Sequence, residues 1–434
     1  MHPTSVDRDG FLRNLRASKL LTSEQFRQVI ESTRKVRDAR KIVKTLVNEK
    51  LITKFQACML LKGRNGGFFL GPYRILDKVG QGGMGRVYKA IHETMNRVVA
   101  LKVLAPQIVS NERARLLFLH EVQAAAKLNH PNIVMAFDAN EIDRRHYLAM
   151  EYVDGANLER YVKDRGPLPV GLACEIIFQT ANGLQHALEK GMVHRDIKPA
   201  NLLLQHDVDS RTLQIKVLDF GLARLQSRDK SVPEKTLPTR ENIIMGTPDF
   251  LSPEQSRDLH EVDIRADLYS LGCTFYFLLT GLVPFAGGKI LDKLARHNSE
   301  VARPIEEIRS DVPPKVANIV RKLMAKAPED RHQTPYELMD ALALYAAPMN
   351  AEWPFATMRA AALDRSDEQV LLPEPQGDTE PRAQGSTEVT DAESILEWAG
   401  TQSKQRRGLR RVVITAVVIG VGLLALAAAA GLAL

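Results

Sequence analysis

Apolar residues near the N-terminus recur at three- and four-residue spacing: Phe26, Val29 and Ile30, then Ile42, Val43, Leu46 and Val47. That is the period of an amphipathic helix, and it predicts helices from residue 11 to about 64, within a helical module spanning 1–67. The segment echoes itself. KLLTSEQF begins at Lys19 and KLITKFQA at Lys50, and each holds Thr-x-x-Gln, Thr22 to Gln25 and Thr53 to Gln56. In that spacing the threonine hydroxyl caps a helix start while the glutamine reaches back to the capping residue. Two similar helix starts are therefore predicted. The module carries no catalytic constellation, and docking or oligomerisation is its plainest role.

GRNGGFFLGPY, residues 63–73, reads as a glycine-rich linker, and the pattern changes after it. Residues 73–104 fall into short alternating runs rich in Val and Tyr, which predict antiparallel strands. Residues 112–128 read as a helix, NIVMAFDANEI and RHYLAMEYV as further strands, and helices dominate from about 157 to 345. Strands first and helices after predict an α+β domain in two parts over 73–345. Residues 364–393 are rich in Pro, Glu, Asp, Ser and Thr, so 346–403 is expected to be an acidic, flexible linker.

The last segment has no polar positions to pattern. KQRRGLRR is followed by VVITAVVIGVGLLALAAAAGLAL, uncharged from Val412 to Leu434. As a helix it would span roughly 35 Å, enough to cross a bilayer core. Residues 404–411 form a basic juxtamembrane stretch and 412–434 a single membrane span. By the positive-inside rule the side carrying Lys404, Arg406, Arg407, Arg410 and Arg411 is cytoplasmic. The chain is thus expected in the cell (inner) membrane with everything before 412 in the cytoplasm, as a tail anchor or as a chain that continues further. The N-terminus has no apolar run after its first charges and does not read as a secretory signal.

Composition adds bounds. The 434 residues suffice for two or three domains, 44% are hydrophobic, and the formal net charge is +7. That charge alone would admit nucleic acid, but the densest basic run lies beside the apolar tail, so no nucleic-acid partner is expected. The three cysteines, Cys58, Cys174 and Cys273, are far apart with no metal or disulfide spacing, which fits a reducing compartment.

The candidate chemistry lies between the strands and the helices. VGQGGMGRVYKA sets Gly80, Gly82 and Gly85 as G-x-G-x-x-G before Val87. Glycines let backbone N–H groups approach phosphates closely. A tight hairpin or a dinucleotide fold would also carry such a run. The latter needs a helix after the glycines, and here both flanks read as strands. VVALKVL puts Lys102 in an apolar strand, where a buried ammonium needs an anion. Glu121, in FLHEVQAAAKL, is the candidate, with a purely structural ion pair as the other reading. MVHRDIKPANLLL concentrates His194, Arg195, Asp196, Lys198 and Asn201 between apolar flanks, and IKVLDFGLAR adds Asp219, Phe220 and Gly221. Two acidic groups and an asparagine suit Mg²⁺, which takes oxygen ligands together with substrate phosphates.

The order G-x-G-x-x-G-x-V, V-A-L-K, a helical Glu, H-R-D-x-K-x-x-N, D-F-G and S-P-E resembles the protein-kinase signature set. The sequence looks like a bacterial eukaryotic-type (Hanks-type, PknB-like) Ser/Thr protein kinase over residues 73–345. The resemblance implies a two-lobed fold, with an antiparallel β-rich lobe followed by a helical lobe. It implies that Gly80, Gly82 and Gly85 cover the ATP phosphates, and that Lys102, held by Glu121, binds the α- and β-phosphates. Val87, Ala100, Met150 and Leu203 would sandwich adenine, with the backbone of Glu151 and Val153 bonding its edge. Asp219 would hold Mg²⁺, with Mn²⁺ the alternative ion, and Asn201 a second one. Asp196 would orient the substrate hydroxyl and accept its proton, while Lys198 neutralises the transferring phosphoryl.

Lys198, two residues after Asp196, and Thr247, before S-P-E, match the Ser/Thr class. Arg195 before Asp196 matches kinases governed by activation-loop phosphorylation. The loop from Leu222 to Ser252 carries Ser227, Ser231, Thr236 and Thr239, and Thr239 is the first candidate for modification. Glu254 and Arg331 match the family's structural ion pair, and Asp267 the residue that braces the catalytic loop. The implied partners are ATP, protein substrates and the membrane, and a homodimer is compatible with the sequence. Two other readings are an inert pseudokinase acting as a scaffold through the N-terminal module and a small-molecule phosphotransferase. No required residue is missing for the first, and the long loop with S-P-E argues against the second.

Overall fold

The computed structural model describes residues 7–82, 85–106, 118, 122–123, 125–207, 212–220, 248–257 and 262–346. The described residues divide into two compact units, one holding 7–80 and 88–98 and the other those of 81–87 and 99–346. The division runs through strands β2 (Tyr73–Gly82), β3 (Gly85–His92) and β4 (Arg97–Leu104).

The first unit opens with four helices, α1 (Arg8–Ser18), α2 (Ser23–Ser32), α3 (Ala39–Asn48) and α4 (Lys54–Leu61). Each start has a side-chain cap. Asp7 accepts from Gly10 N and Asp38 from Arg40 N, and both Thr-x-x-Gln sequences form full capping boxes. Phe11, Leu15, Ile42, Leu46 and Leu60 form one core, and Phe68 joins them at 2% exposure. The 63–73 stretch is therefore not a loose linker. Its phenylalanines bury apolar surface against the helices, and Phe69–Leu70 forms strand β1, antiparallel to β2. Phe68 O accepts from Ile75 N at 2.8 Å.

In the second unit β4 pairs with β6 (Arg145–Glu151), which pairs with β5 (Ala136–Ile142), all antiparallel. A second sheet runs β7 (Gly155–Asn157), β8 (Leu202–Asp207), β9 (Thr212–Val217). Helices α5 (Leu158–Arg165), α6 (Val170–Glu189), α7 (Pro253–Arg257), α8 (Ile264–Thr280), α9 (Ile290–Ser299), α10 (Pro314–Leu323) and α11 (Pro335–Leu342) complete it. α8 is buried on every face apart from Arg265, the pattern of a central core helix. It starts at the Asp263 cap and stops at Gly281, in the left-handed region at φ 74°.

Cys174 and Cys273 lie in this core, where burial pushes each thiol up to about 12, whereas Cys58 is exposed on α4. Among the described residues no helix is long and apolar enough to cross a membrane. The expected linker, basic stretch and membrane span lie outside the described residues, as do Glu121, Gly221, Ser227, Ser231, Thr236, Thr239 and Thr247.

Candidate active site

Four consecutive residues of strand β4, Val99 to Lys102, are buried, and Lys102 lies opposite Leu148 of β6. It is 5% exposed, and its Nζ lies 2.9 Å from Asp219 Oδ2. An ammonium taken out of water needs such an anion. The candidate partner Glu121 lies outside the described residues, so among them the partner of Lys102 is Asp219.

The MVHRDIKPANLLL stretch closes on itself. Lys198 Nζ donates to both carboxylate oxygens of Asp196 at 2.8 Å. Asn201 Nδ2 donates to Asp196 O at 2.8 Å and to Asp196 Oδ2 at 2.9 Å. Pro199–Asn201 is a single tight turn, and that turn lets residues five apart meet. Asp196 and Asp219 then belong to one network. Leu218 N donates to Asn201 O at 2.9 Å, and Leu218 O lies 2.6 Å from His194 Nε2. Arg195 (φ 69°) and Asp219 (φ 59°) both adopt the left-handed region, rare for residues with a side chain and commonest at functional sites.

Buried side chains hold that shape from below. Asp267, one turn into α8, accepts the backbone N–H of His194 on one oxygen and of Arg195 on the other. Its complete burial pushes the carboxyl up, against the pull of His194 and of those two N–H groups. His194 is fully buried and stands edge-to-face on Phe220 at 4.6 Å. Gln255 Nε2 donates to Arg195 O at 2.8 Å. Arg331, 1% exposed, forks onto Glu254 at 2.6 and 2.9 Å and donates to the carbonyls of Ala325, Arg265 and Lys326.

The adenine candidates fall on adjoining strands. Ala100 faces Met150 across β4 and β6, Val87 packs against that cluster, and half-buried Leu203 lies on β8 opposite Asn157. Val153 is buried. Glu151 N donates to Met135 O, and its side chain is held by Lys216 at 2.8 Å.

The glycines differ from one another. A Cβ on Gly80 or Gly82 would meet nothing within 4 Å, the open surround a close-approaching phosphate requires. A Cβ on Gly85, at φ 146°, would meet Val103 O at 2.1 Å.

For a divalent ion, Asp219 offers carboxylate oxygens, and Asn201 offers Oδ1 because its Nδ2 is spent on Asp196. Hard oxygen donors suit Mg²⁺ or Mn²⁺. Among the described residues no three His, Cys, Asp or Glu side chains gather into a metal cage. That is compatible with an ion held by one or two protein oxygens plus phosphates and water.

The sequence marks His194 as part of the H-R-D cluster without a role of its own, and does not mark Lys216 or Gln255 as site residues. Lys216 carried a usable signal, a lone ammonium in an apolar strand, the same one that marked Lys102. His194 and Gln255 act through contacts 24 and 60 residues away in the chain, beyond the reach of spacing.

Comparison with known proteins follows the same residues. The family model described as "Protein kinase domain" matches residues 73–341. The chain is 37% identical over 270 residues to the probable serine/threonine-protein kinase CPE1738 of Clostridium perfringens, covering 62% of this chain and 38% of that protein. It is 37% identical over 270 residues to serine/threonine-protein kinase PknB of Mycobacterium leprae, covering 61% and 42%. Serine/threonine-protein kinase PrkC of Bacillus subtilis is 36% identical over 268 residues, covering 62% and 39%. The chain thus spans about two fifths of the length of these relatives. Among solved structures, the PknI kinase domain of Mycobacterium tuberculosis superposes with a TM-score of 0.50 at 30% identity, covering 64% of this chain and 98% of that one. These matches show a two-lobed fold, an antiparallel β-sheet lobe followed by a helical lobe.

Proposed function

This chain belongs to the protein kinase domain family, and from that premise we propose that it is a non-specific serine/threonine protein kinase transferring the γ-phosphoryl of ATP to protein hydroxyls. The family uses ATP and a divalent metal, and Mg²⁺ is the ion we assign. The observation that carries the reading is the linked pair of clusters, Lys102 with Asp219 and Asp196 with Lys198 and Asn201.

Phosphoryl transfer asks a protein for positioning and charge more than for covalent chemistry. Asp196 lines up the serine or threonine hydroxyl and takes its proton as the oxygen attacks. Lys198, already on Asp196, supplies positive charge for the phosphoryl in transit. Lys102 binds the α- and β-phosphates. Asp219 and Asn201 are the side chains that would hold a divalent ion, which when bound would supply positive charge against the phosphates. The backbone of Gly80, Gly82 and Gly85 covers the phosphates. Val87, Ala100, Met150 and Leu203 enclose the base, with the main chain of Glu151 and Val153 at its edge.

We assign Arg195 as the group that pairs with a phosphate on the activation loop, at Thr239 first and Thr236 second, with Thr247 touching Asp196 and Lys198. Residues 412–434 anchor the chain in the inner membrane, with 73–345 catalytic, 1–67 a helical module and 346–403 a tether. The pseudokinase reading is disfavoured because no required residue type is missing.

The test is incorporation of labelled phosphate from ATP in the full chain. Asp196→Asn should lower autophosphorylation at least about 100-fold, the span of a general base, with an unchanged circular dichroism spectrum. Equal incorporation in variant and wild type would refute the assignment.

A further inference from the structure

The two Thr-x-x-Gln boxes of the helical module are alike in sequence and unlike in use. At α2 the box is a cap and nothing more. Thr22 N donates to Gln25 Oε1 at 3.0 Å, Gln25 N donates to Thr22 Oγ1 at 3.2 Å, and the pair is solvent-exposed. Among the described residues neither side chain reaches a strand. At α4 the reciprocal bonds recur, Thr53 N to Gln56 Oε1 at 2.9 Å and Gln56 N to Thr53 Oγ1 at 3.1 Å. Here both side chains have a second task. Thr53 Oγ1 donates to Leu76 O at 2.6 Å, and Gln56 Nε2 donates to Ile75 O at 2.7 Å.

Gln56 is 1% exposed. Its amide is used at both ends, oxygen on the helix cap and nitrogen on the strand. Leu76 and Ile75 belong to β2, the same strand that carries Gly80 and Gly82 at its far end. Gly80 lies about 14 Å further along it, at the usual rise of an extended chain. Phe68 completes the attachment, since its ring sits in the helical core while its carbonyl accepts from Ile75 N. The beginning of β2 is thus gripped at consecutive residues by a helix outside the family-matched region, which starts at residue 73.

We propose that Thr53 and Gln56 are positioning residues for the nucleotide site: α4 fixes the start of β2, and so the path along which that strand presents Gly80 and Gly82 to the phosphates. This rests on the ATP reading above. The helical module is then a working part of the catalytic domain rather than an appendage.

The duplicated box supplies its own control. Gln56→Glu keeps the oxygen that caps α4 and replaces the strand-facing N–H donor with an acceptor aimed at Ile75 O. Gln25→Glu makes the same change where only a cap exists. Thr53→Val removes the hydroxyl, and Thr53→Ser retains it. In the full chain, Gln56→Glu and Thr53→Val should each weaken binding of a fluorescent ATP analogue and raise KM for ATP by at least about threefold, since one leaves two acceptors facing each other in a buried place and the other removes two hydrogen bonds. The KM for a peptide substrate should hold, and Gln25→Glu and Thr53→Ser should stay within about twofold of wild type. Unaltered ATP affinity in Gln56→Glu and Thr53→Val, with earlier thermal unfolding, would reduce α4 to a structural support and overturn the proposal. If the wild type neither binds nor turns over ATP, the kinase assignment is what fails. Hydrogen exchange then still decides: amides from Ile75 to Gly82 exchange faster in Gln56→Glu than in Gln25→Glu if α4 governs β2, and equally in both if it does not.

Discussion

Asp267 accepts the backbone N–H of Arg195 at 2.7 Å, and that of neighbouring His194 at the same distance. One carboxylate on a core helix thereby dictates the main-chain path into Asp196, through a residue already in a left-handed conformation. Asp267→Asn would turn an N–H donor toward one of those two amides. Activity should fall at least about tenfold, because misplaced reacting groups are costly even when the displacement is small. The measurement is kcat for a peptide substrate beside ATP-analogue affinity. The expected pattern is a depressed kcat with smaller change in affinity, since Lys102 and the strands β4 and β6 are untouched.

Gly85 and Gly80 should respond oppositely to a single methyl group. Gly85→Ala drives a Cβ against Val103 O at a backbone angle that side chains seldom tolerate. It should destabilise the fold by about 2 kcal/mol, read as a lower urea midpoint. Gly80→Ala adds its methyl to open space. It should leave the midpoint alone and raise KM for ATP, because the methyl intrudes where phosphate approaches.

Arg331 is fully enclosed, its guanidinium shared among Glu254 and three carbonyls and lying 4.8 Å from the Tyr269 ring. Arg331→Leu strands the Glu254 carboxylate and should cost about 3 kcal/mol of unfolding free energy. Arg331→Lys should recover little of it, since an ammonium cannot reproduce a planar fork serving four acceptors at once. Urea titrations followed by circular dichroism would check both.

Acidification should weaken the fold through two histidines. Burial depresses His297 and His332 from the ordinary 6.5 to about 4. In the unfolded chain each takes up a proton near pH 6.5, whereas the folded protein refuses it until about pH 4. Their contribution to stability is therefore complete above pH 6.5 and is lost as pH falls toward 4. The urea midpoint should drop between pH 7.5 and 5.5, and His332→Gln should flatten that slope.

Much of this fold and site is legible in the amino-acid sequence. The periodicity of Val29, Ile30, Ile42 and Leu46 gave the N-terminal helices, and both Thr-x-x-Gln boxes formed as caps. The order of motifs around Lys102, Asp196 and Asp219 gave the family, because each chemical demand leaves a residue type at a fixed offset. Tertiary contact was the hidden part. Phe68 read as linker because its burial depends on how the helices before it pack together. The grip of Gln56 on Ile75 could not be inferred, since the α2 box has the same letters and no strand beside it. Lys216 was hidden by its partner Glu151, 65 residues away.

Of the three thiols, two are sealed in the core and held protonated, and Cys58 alone is exposed, two residues beyond Gln56. A maleimide dye added to the folded protein should therefore attach at one position without any engineered cysteine. Its emission would report changes in the surroundings of α4 in real time.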